Sequence, residues 1–250
     1  MSDFNRGYAR SIPQDRADMS VDAGLRSFML GVYNKVALGL VLSAVLAYVT
    51  GQVEPVQQLL YRVTADGRLV GYTIPGYIVA FGPLAVILFG AFGMKNATPR
   101  SSGIYYWTIV ALLGASLGAI TLMYTGASIF QTFLITATAF GGLSLVGYTT
   151  KKDLSPMGSF LIIGAIGLMV ASLVNLFLAS SMLYFIINVV GVLVFAGLIA
   201  YDTQRLKMTY YELGGDQTAL GVATNYGALS LYLDFINLFM FLLRLFGDRR

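Results

Sequence analysis

Cysteine and histidine are both absent from this 250-residue sequence. The first absence excludes disulfides, thiolate nucleophiles and Cys-ligated metal. The second removes imidazole as base, zinc ligand or neutral-pH sensor. Any response to pH near neutrality then falls to carboxylates or bases shifted by their surroundings. Charge is scarce as well: 11% of residues are Asp, Glu, Lys or Arg, against about 25% in an ordinary soluble domain. A single water-soluble domain is therefore excluded. What the chain does have is apolar bulk, at 57% hydrophobic residues, together with 28 Gly. The net charge is +4, but no basic-aromatic cluster suggests nucleic acid as a partner.

A bilayer crossing takes roughly 20 residues of helix. Seven apolar segments of that order are predicted, at Tyr33–Gln52, Gly76–Gly93, Ile104–Tyr124, Ser128–Tyr148, Met157–Ser180, Leu183–Thr209 and Thr224–Phe246. The fold class is thus an all-α integral membrane protein with seven transmembrane helices, and the lipid bilayer is its first partner. Breakers separate the segments: Glu54–Pro55, Thr98–Pro99, Thr125–Gly126, Ser155–Pro156 and Gly214–Gly215. Residues 1–27 are polar and of mixed charge, and read as a mobile cytoplasmic tail without the order of a secretory signal. Residues 28–247 form the membrane domain, and 248–250 a short C-terminal tail. No internal repeat is evident.

Lys and Arg set the expected orientation. With the N-terminus inside, the inner side takes Arg6, Arg10, Arg16, Arg26, Lys35, Lys95, Arg100, Lys151, Lys152, Arg205 and Lys207. The outer side takes Arg62, Arg68, Arg244, Arg249 and Arg250. Eleven against five favours a cytoplasmic N-terminus and an external C-terminus. Six spans with a re-entrant last segment is the alternative. Gly114 with Gly118, Gly164 with Gly167, and Gly191 with Gly197 read as small-residue ridges for close helix packing. Tyr105, Tyr106 and Trp107, and Tyr210 and Tyr211, read as interfacial anchors.

The first five segments contain almost no charge beyond Lys35. The last two contain Asp202 and Asp234. An ionised Asp at a helix centre costs roughly 2.5–3.5 kcal/mol even on a lenient scale, so each should face the interior, find a partner or hold a proton. The two lie 32 residues apart, with the midpoint at Thr218 in the polar connection Gly214–Thr218. Two antiparallel helices leaving that connection place both carboxylates at similar depth. Matched depth is legible; matched azimuth is not. Ser230, Asp234, Asn237 and Arg244 fall on one side of the last helix, which makes Ser230 and Asn237 candidate supporting groups on an ion path. The plainer alternative for Asp202 is a reach to the interface, or a pair with Arg205 or Lys207. Two buried carboxylates in contact cannot both ionise cheaply, and they titrate as one unit. A shared proton would hold the two helices together, and its loss would part them or admit a cation.

Four stretches carry a resemblance: Tyr124–Thr136 (YTGASIFQTFLIT), Gly147–Leu154 (GYTTKKDL), Phe195–Arg205 (FAGLIAYDTQR) and Ala228–Phe239 (ALSLYLDFINLF). Together they resemble the Bax inhibitor-1, or transmembrane Bax inhibitor motif, family in its bacterial form, over about residues 28–247. The resemblance implies a final helix wrapped by the other six. It also implies an inner-membrane location and a pH-sensitive Ca²⁺ leak gated by two aspartates, which fall on Asp202 and Asp234. It implies a basic residue on the second helix that engages the pair, and Gly76–Gly93 contains none.

The function expected is passive Ca²⁺ permeation. Asp202 and Asp234 are both proton sensor and transient Ca²⁺ ligands, Asn237, Ser230 and Arg205 support them, and no resident cofactor is needed. Tight Ca²⁺ sites use 6–8 oxygens, and a looser site suits passage. The alternative is a non-transporting membrane protein that associates with a membrane protease or stress complex, with residues 1–27 as the handle. An enzyme is not expected. Neither aspartate has the Gly-x-Gly-Asp context of a membrane aspartyl protease, a Ser–His dyad is impossible without His, and zinc ligands and a P-loop are missing.

Overall fold

A computed structural model describes residues 22–93 and 96–250. Arg6, Arg10, Arg16 and Lys95 of the charge census, and most of the expected tail, lie outside the described residues.

The first helix, α1 (Ala23–Gln52), begins ten residues before the expected segment. Asp22 caps it, accepting from the Leu25 amide at 3.0 Å. Leu25, Phe28, Met29, Val32 and Val36 form a buried stripe at helical spacing, while Ala23, Gly24, Arg26 and Ser27 are exposed. An amphipathic start of this kind is helical without being apolar enough to read as a span, so residues 23–27 belong to α1 and not to a tail. Val53 turns extended, and Pro55 opens the short α2 (Glu54–Leu60).

A two-stranded antiparallel hairpin follows, β1 (Tyr61–Val63) and β2 (Leu69–Tyr72), with Tyr61 opposite Tyr72. It departs from the all-helical expectation. Its turn holds Gly67 at φ 77° directly after Asp66, the Asp-Gly pair that suits tight hairpins. Burial against the bundle pushes the Tyr61 and Tyr72 hydroxyls above their ordinary range, with neighbouring tyrosines adding to it.

Then come α3 (Ile74–Gly93), α4 (Pro99–Ser116), α5 (Gly118–Met123), α6 (Gly126–Thr149), α7 (Ser155–Leu178), α8 (Ser181–Glu212) and α9 (Gln217–Phe246). The expected third span is two pieces, broken at Leu117. Each breaker has a visible role. Thr98 and Ser101 form a capping box ahead of Pro99. Thr125 and Ser180 cap α6 and α8. Gly214 (φ 57°) and Gly215 (φ 89°) turn the chain from α8 to α9. Asp216 then caps α9 through the Thr218 and Ala219 amides. Asp216→Ala removes that cap and should cost about 1 kcal/mol, read as a lower unfolding midpoint in detergent. An unchanged midpoint would show that the bundle alone holds this helix end.

Among the described residues six helices are long and apolar enough to cross a membrane: α1, α4 with α5, α6, α7, α8 and α9. The shorter α3 is also apolar. Over the described residues the chain is an all-α membrane protein apart from its hairpin. Phe160, Ile163, Leu176 and Phe177 on α7, and Leu193 on α8, lie exposed, an apolar surface suited to lipid contact. Burial concentrates instead on α9, where Leu231, Tyr232, Phe235, Leu238 and Leu243 are almost fully enclosed. α9 packs against α8, α1, α4 and α6.

Close packing explains most of the small-residue ridges. A Cβ on Gly114 would stand 2.6 Å from the Ser43 backbone of α1, and one on Gly118 would strike Thr50. Gly191 and Gly197 lie equally near Phe241 and Leu161. Gly167 has open space around it, so its place in a ridge is not a packing contact. Tyr106 corrects another expectation. It is 1% exposed and donates to the Lys35 carbonyl at 2.6 Å, so it is a core residue of the α1–α4 contact and not an interfacial anchor.

Candidate functional site

Asp202 lies in the C-terminal half of α8 and Asp234 near the middle of α9, each 6% exposed. The hairpin brings them together: their carboxyl groups are within hydrogen-bonding reach of one another. Neither can donate while both are ionised, and Oδ2 of Asp234 is buried without a donor. One proton on either carboxyl supplies the missing donor.

Arg205 stands one turn along α8. Its Nη2 is 3.3 Å from Oδ1 of Asp202 and 3.3 Å from the Ser230 hydroxyl. Its guanidinium also lies 5.6 Å from the centre of the Tyr201 ring. Among the described residues this is the one ion pair. The Arg205 side chain is 44% exposed, so the cluster opens toward solvent on that side. The basic partner that the second segment lacks is thus supplied by the same helix as Asp202.

Lys207 does not pair with Asp202. It is buried, and its Nζ donates to the Tyr148 carbonyl at 2.9 Å. Asn237 donates to the Leu233 carbonyl one turn back at 2.8 Å, a bond within its own helix. Ser230 does join the cluster.

Gln204 went unnoticed in the sequence. It is buried, accepts from the Leu154 amide at 2.8 Å and donates to the Lys152 carbonyl at 2.8 Å. The α6–α7 connection is thereby tied to α8 two residues from Asp202. The only hint was its place beside Asp202 at the C-terminal end of an apolar segment.

The pair with the Ser230 hydroxyl offers oxygen ligands, but Ca²⁺ prefers more than these provide. Among the described residues no third acidic side chain joins them. A cation here would be held loosely, and Arg205 competes with it for Asp202.

A family model described as "Inhibitor of apoptosis-promoting Bax1" matches residues 25–250. The chain belongs to the Bax inhibitor-1 family. A Caulobacter vibrioides protein is 66% identical over 250 residues, covering all of both chains. A Rickettsia prowazekii protein is 42% identical over 243 residues, 97% of this chain and 98% of the relative. The "Inner membrane protein YbhL" of Escherichia coli K12 is 39% identical over 239 residues, 95% of this chain and 98% of the relative. This Bax inhibitor-1 family chain is a multi-pass membrane protein, and its matched region contains Asp202, Asp234, Arg205 and Ser230 alike.

Proposed function

We propose that this protein is a pH-sensitive Ca²⁺ leak of a bacterial inner membrane, opened and closed by the Asp202–Asp234 pair. The observation that carries this reading is two enclosed acidic side chains within hydrogen-bonding reach, in a hairpin that is otherwise largely apolar. Ionisable groups at membrane depth mark ion or proton paths. Two carboxylates and one guanidinium leave one negative charge in excess, and a single proton cancels it. The neutral cluster holds α8 to α9 and does not attract a cation. Proton loss restores the excess charge, which pushes the carboxylates apart and draws a cation between them. Loose binding then lets the ion leave.

In this reading α3 is the short second crossing of seven, and α9 is the axis that the others surround. The N-terminus lies in the cytoplasm and the C-terminus outside. By chain order Arg26, Arg100, Lys151, Lys152, Arg205 and Lys207 fall on one side of the spans, while Lys35 lies thirteen residues into α1. Arg62, Arg68, Arg244, Arg249 and Arg250 mark the other. The more basic end is then cytoplasmic. The printed name of the Escherichia coli relative supports the inner membrane.

Efflux of Ca²⁺ from liposomes holding the purified protein tests the reading. Flux should rise with pH as the shared proton of the pair is lost. Flux no greater than from empty liposomes at every pH overturns it. Arg205→Gln adds a second check. The guanidinium favours the deprotonated pair, so without it the onset of flux should move to higher pH. The group is well exposed and screened, which keeps the move small. An unmoved onset would remove Arg205 from the gate.

A further inference from the structure

A cavity of about 520 Å³ lies at the opposite end of the bundle from the aspartates. α3, α5, α7, α8 and α9 all contribute to it. Asn188 in its wall is fourteen residues before Asp202 on α8, about 21 Å along the helix axis. The cavity is therefore separate from the proton pair.

Its chemistry is one-sided. Arg244 and Arg249 both line it, and no carboxylate does among the described residues. Arg249 donates to the Tyr184 hydroxyl at 3.1 Å and lies over the Tyr124 ring. Arg244 lies over Phe241. Neither guanidinium has a carboxylate within ion-pair distance among the described residues. A third group points the same way. Asn188 is 0% exposed, and its Nδ2 donates to the Tyr184 carbonyl at 2.7 Å, but its Oδ1 has no hydrogen-bond partner. A buried acceptor without a donor is costly. The remaining wall is mostly apolar, and its rim residue Leu176 is 76% exposed on the lipid-facing side of α7.

We propose that this cavity binds a phosphate ester that carries a hydroxyl group, as in the phosphoglycerol headgroup of an anionic lipid. The phosphate lies between Arg244 and Arg249, and the hydroxyl donates to Asn188. Arginine forks match phosphate oxygens with charge-assisted bonds. A volume of this size holds a headgroup, and the apolar rim lets acyl chains stay in the bilayer. Free phosphate shares the charge and the P–OH donor but not the chains.

The test uses the purified full chain in a neutral detergent. Retention of added phosphatidylglycerol is read by native mass spectrometry, against phosphatidylcholine and against inorganic phosphate. The wild type should retain phosphatidylglycerol over phosphatidylcholine. Arg244→Gln with Arg249→Gln should weaken that retention about tenfold, and Asn188→Ala should weaken it less. Arg62→Gln with Arg68→Gln, on the hairpin, should leave it intact. Equal retention of both lipids by the wild type overturns the proposal, as does equal loss from the hairpin pair, which would mean general surface charge. Displacement of the lipid by millimolar inorganic phosphate supports the phosphate site and overturns the lipid as its source. Circular dichroism melts of each variant separate lost binding from lost folding.

Discussion

Asp234→Asn should close the leak at every pH. The asparagine amide has nearly the shape of the acid it replaces, and its Nδ2 can always donate. It therefore supplies Asp202 permanently with the hydrogen bond that a shared proton supplies reversibly. One negative charge is gone, so Asp202 and Arg205 are left as a neutral couple with nothing to draw a cation. In liposomes the flux should fall at least about tenfold at the pH where the wild type is open, and its pH dependence should flatten, because the titrating unit no longer has two members. Asp202→Asn should flatten the profile too, but it leaves Arg205 without its partner at 3.3 Å. The double variant should add little to either single one, since both remove the same device. A wild-type pH profile in Asp234→Asn would end the proposed gate.

Gly147→Val should prevent stable assembly of the bundle. A Cβ at Gly147 would strike the Ala200 carbonyl of α8, and backbone, unlike a side-chain tip, has no rotamer to escape into. α6 and α8 would have to part, and they do so two residues from Asp202. Overpacking of this kind costs about 3 kcal/mol, and most of it should appear as a lower melting temperature and aggregation in detergent. Gly167→Val is the matched control. Nothing lies within 4 Å of a Cβ there, so the melt should be close to wild type. Equal melts for the two variants would mean that the α6–α8 contact is not as close as described.

Both predictions depend on features that differ in how far the sequence discloses them. Counting residues around Thr218 gives only an approximate depth, because the turn lies at residues 213–216 and Thr218 is already in α9, which leaves Asp202 ten residues from the turn end of its helix and Asp234 seventeen. Their facing one another is a rotation about each helix axis, and packing by distant segments sets it. The same gap explains Asn237, which shares a side of α9 with Asp234 yet bonds to Leu233 of its own helix. Tyr106 looked interfacial because it sits in an aromatic run near a helix start. Its neighbours Tyr105 and Trp107 are half-buried, but Tyr106 points inward to α1. The hairpin of Tyr61–Val63 with Leu69–Tyr72 carried a readable sign in Asp66–Gly67. Strands of three and four residues are too short for alternation to stand out beside 20-residue apolar runs. The break at Leu117 leaves the apolar pattern intact, and hydropathy alone therefore reads through it.

Gln204 limits how the hairpin can rearrange. Both atoms of its amide are engaged by the chain between Lys152 and Leu154, and Lys207 grips Tyr148 a turn further on. Sliding α8 lengthwise would sever these fastenings together. A swivel, with α9 swinging away from a stationary α8, would spare all three. The motion that separates the acids and keeps all three bonds is therefore rotational, and it pivots on the glycines that join the two helices.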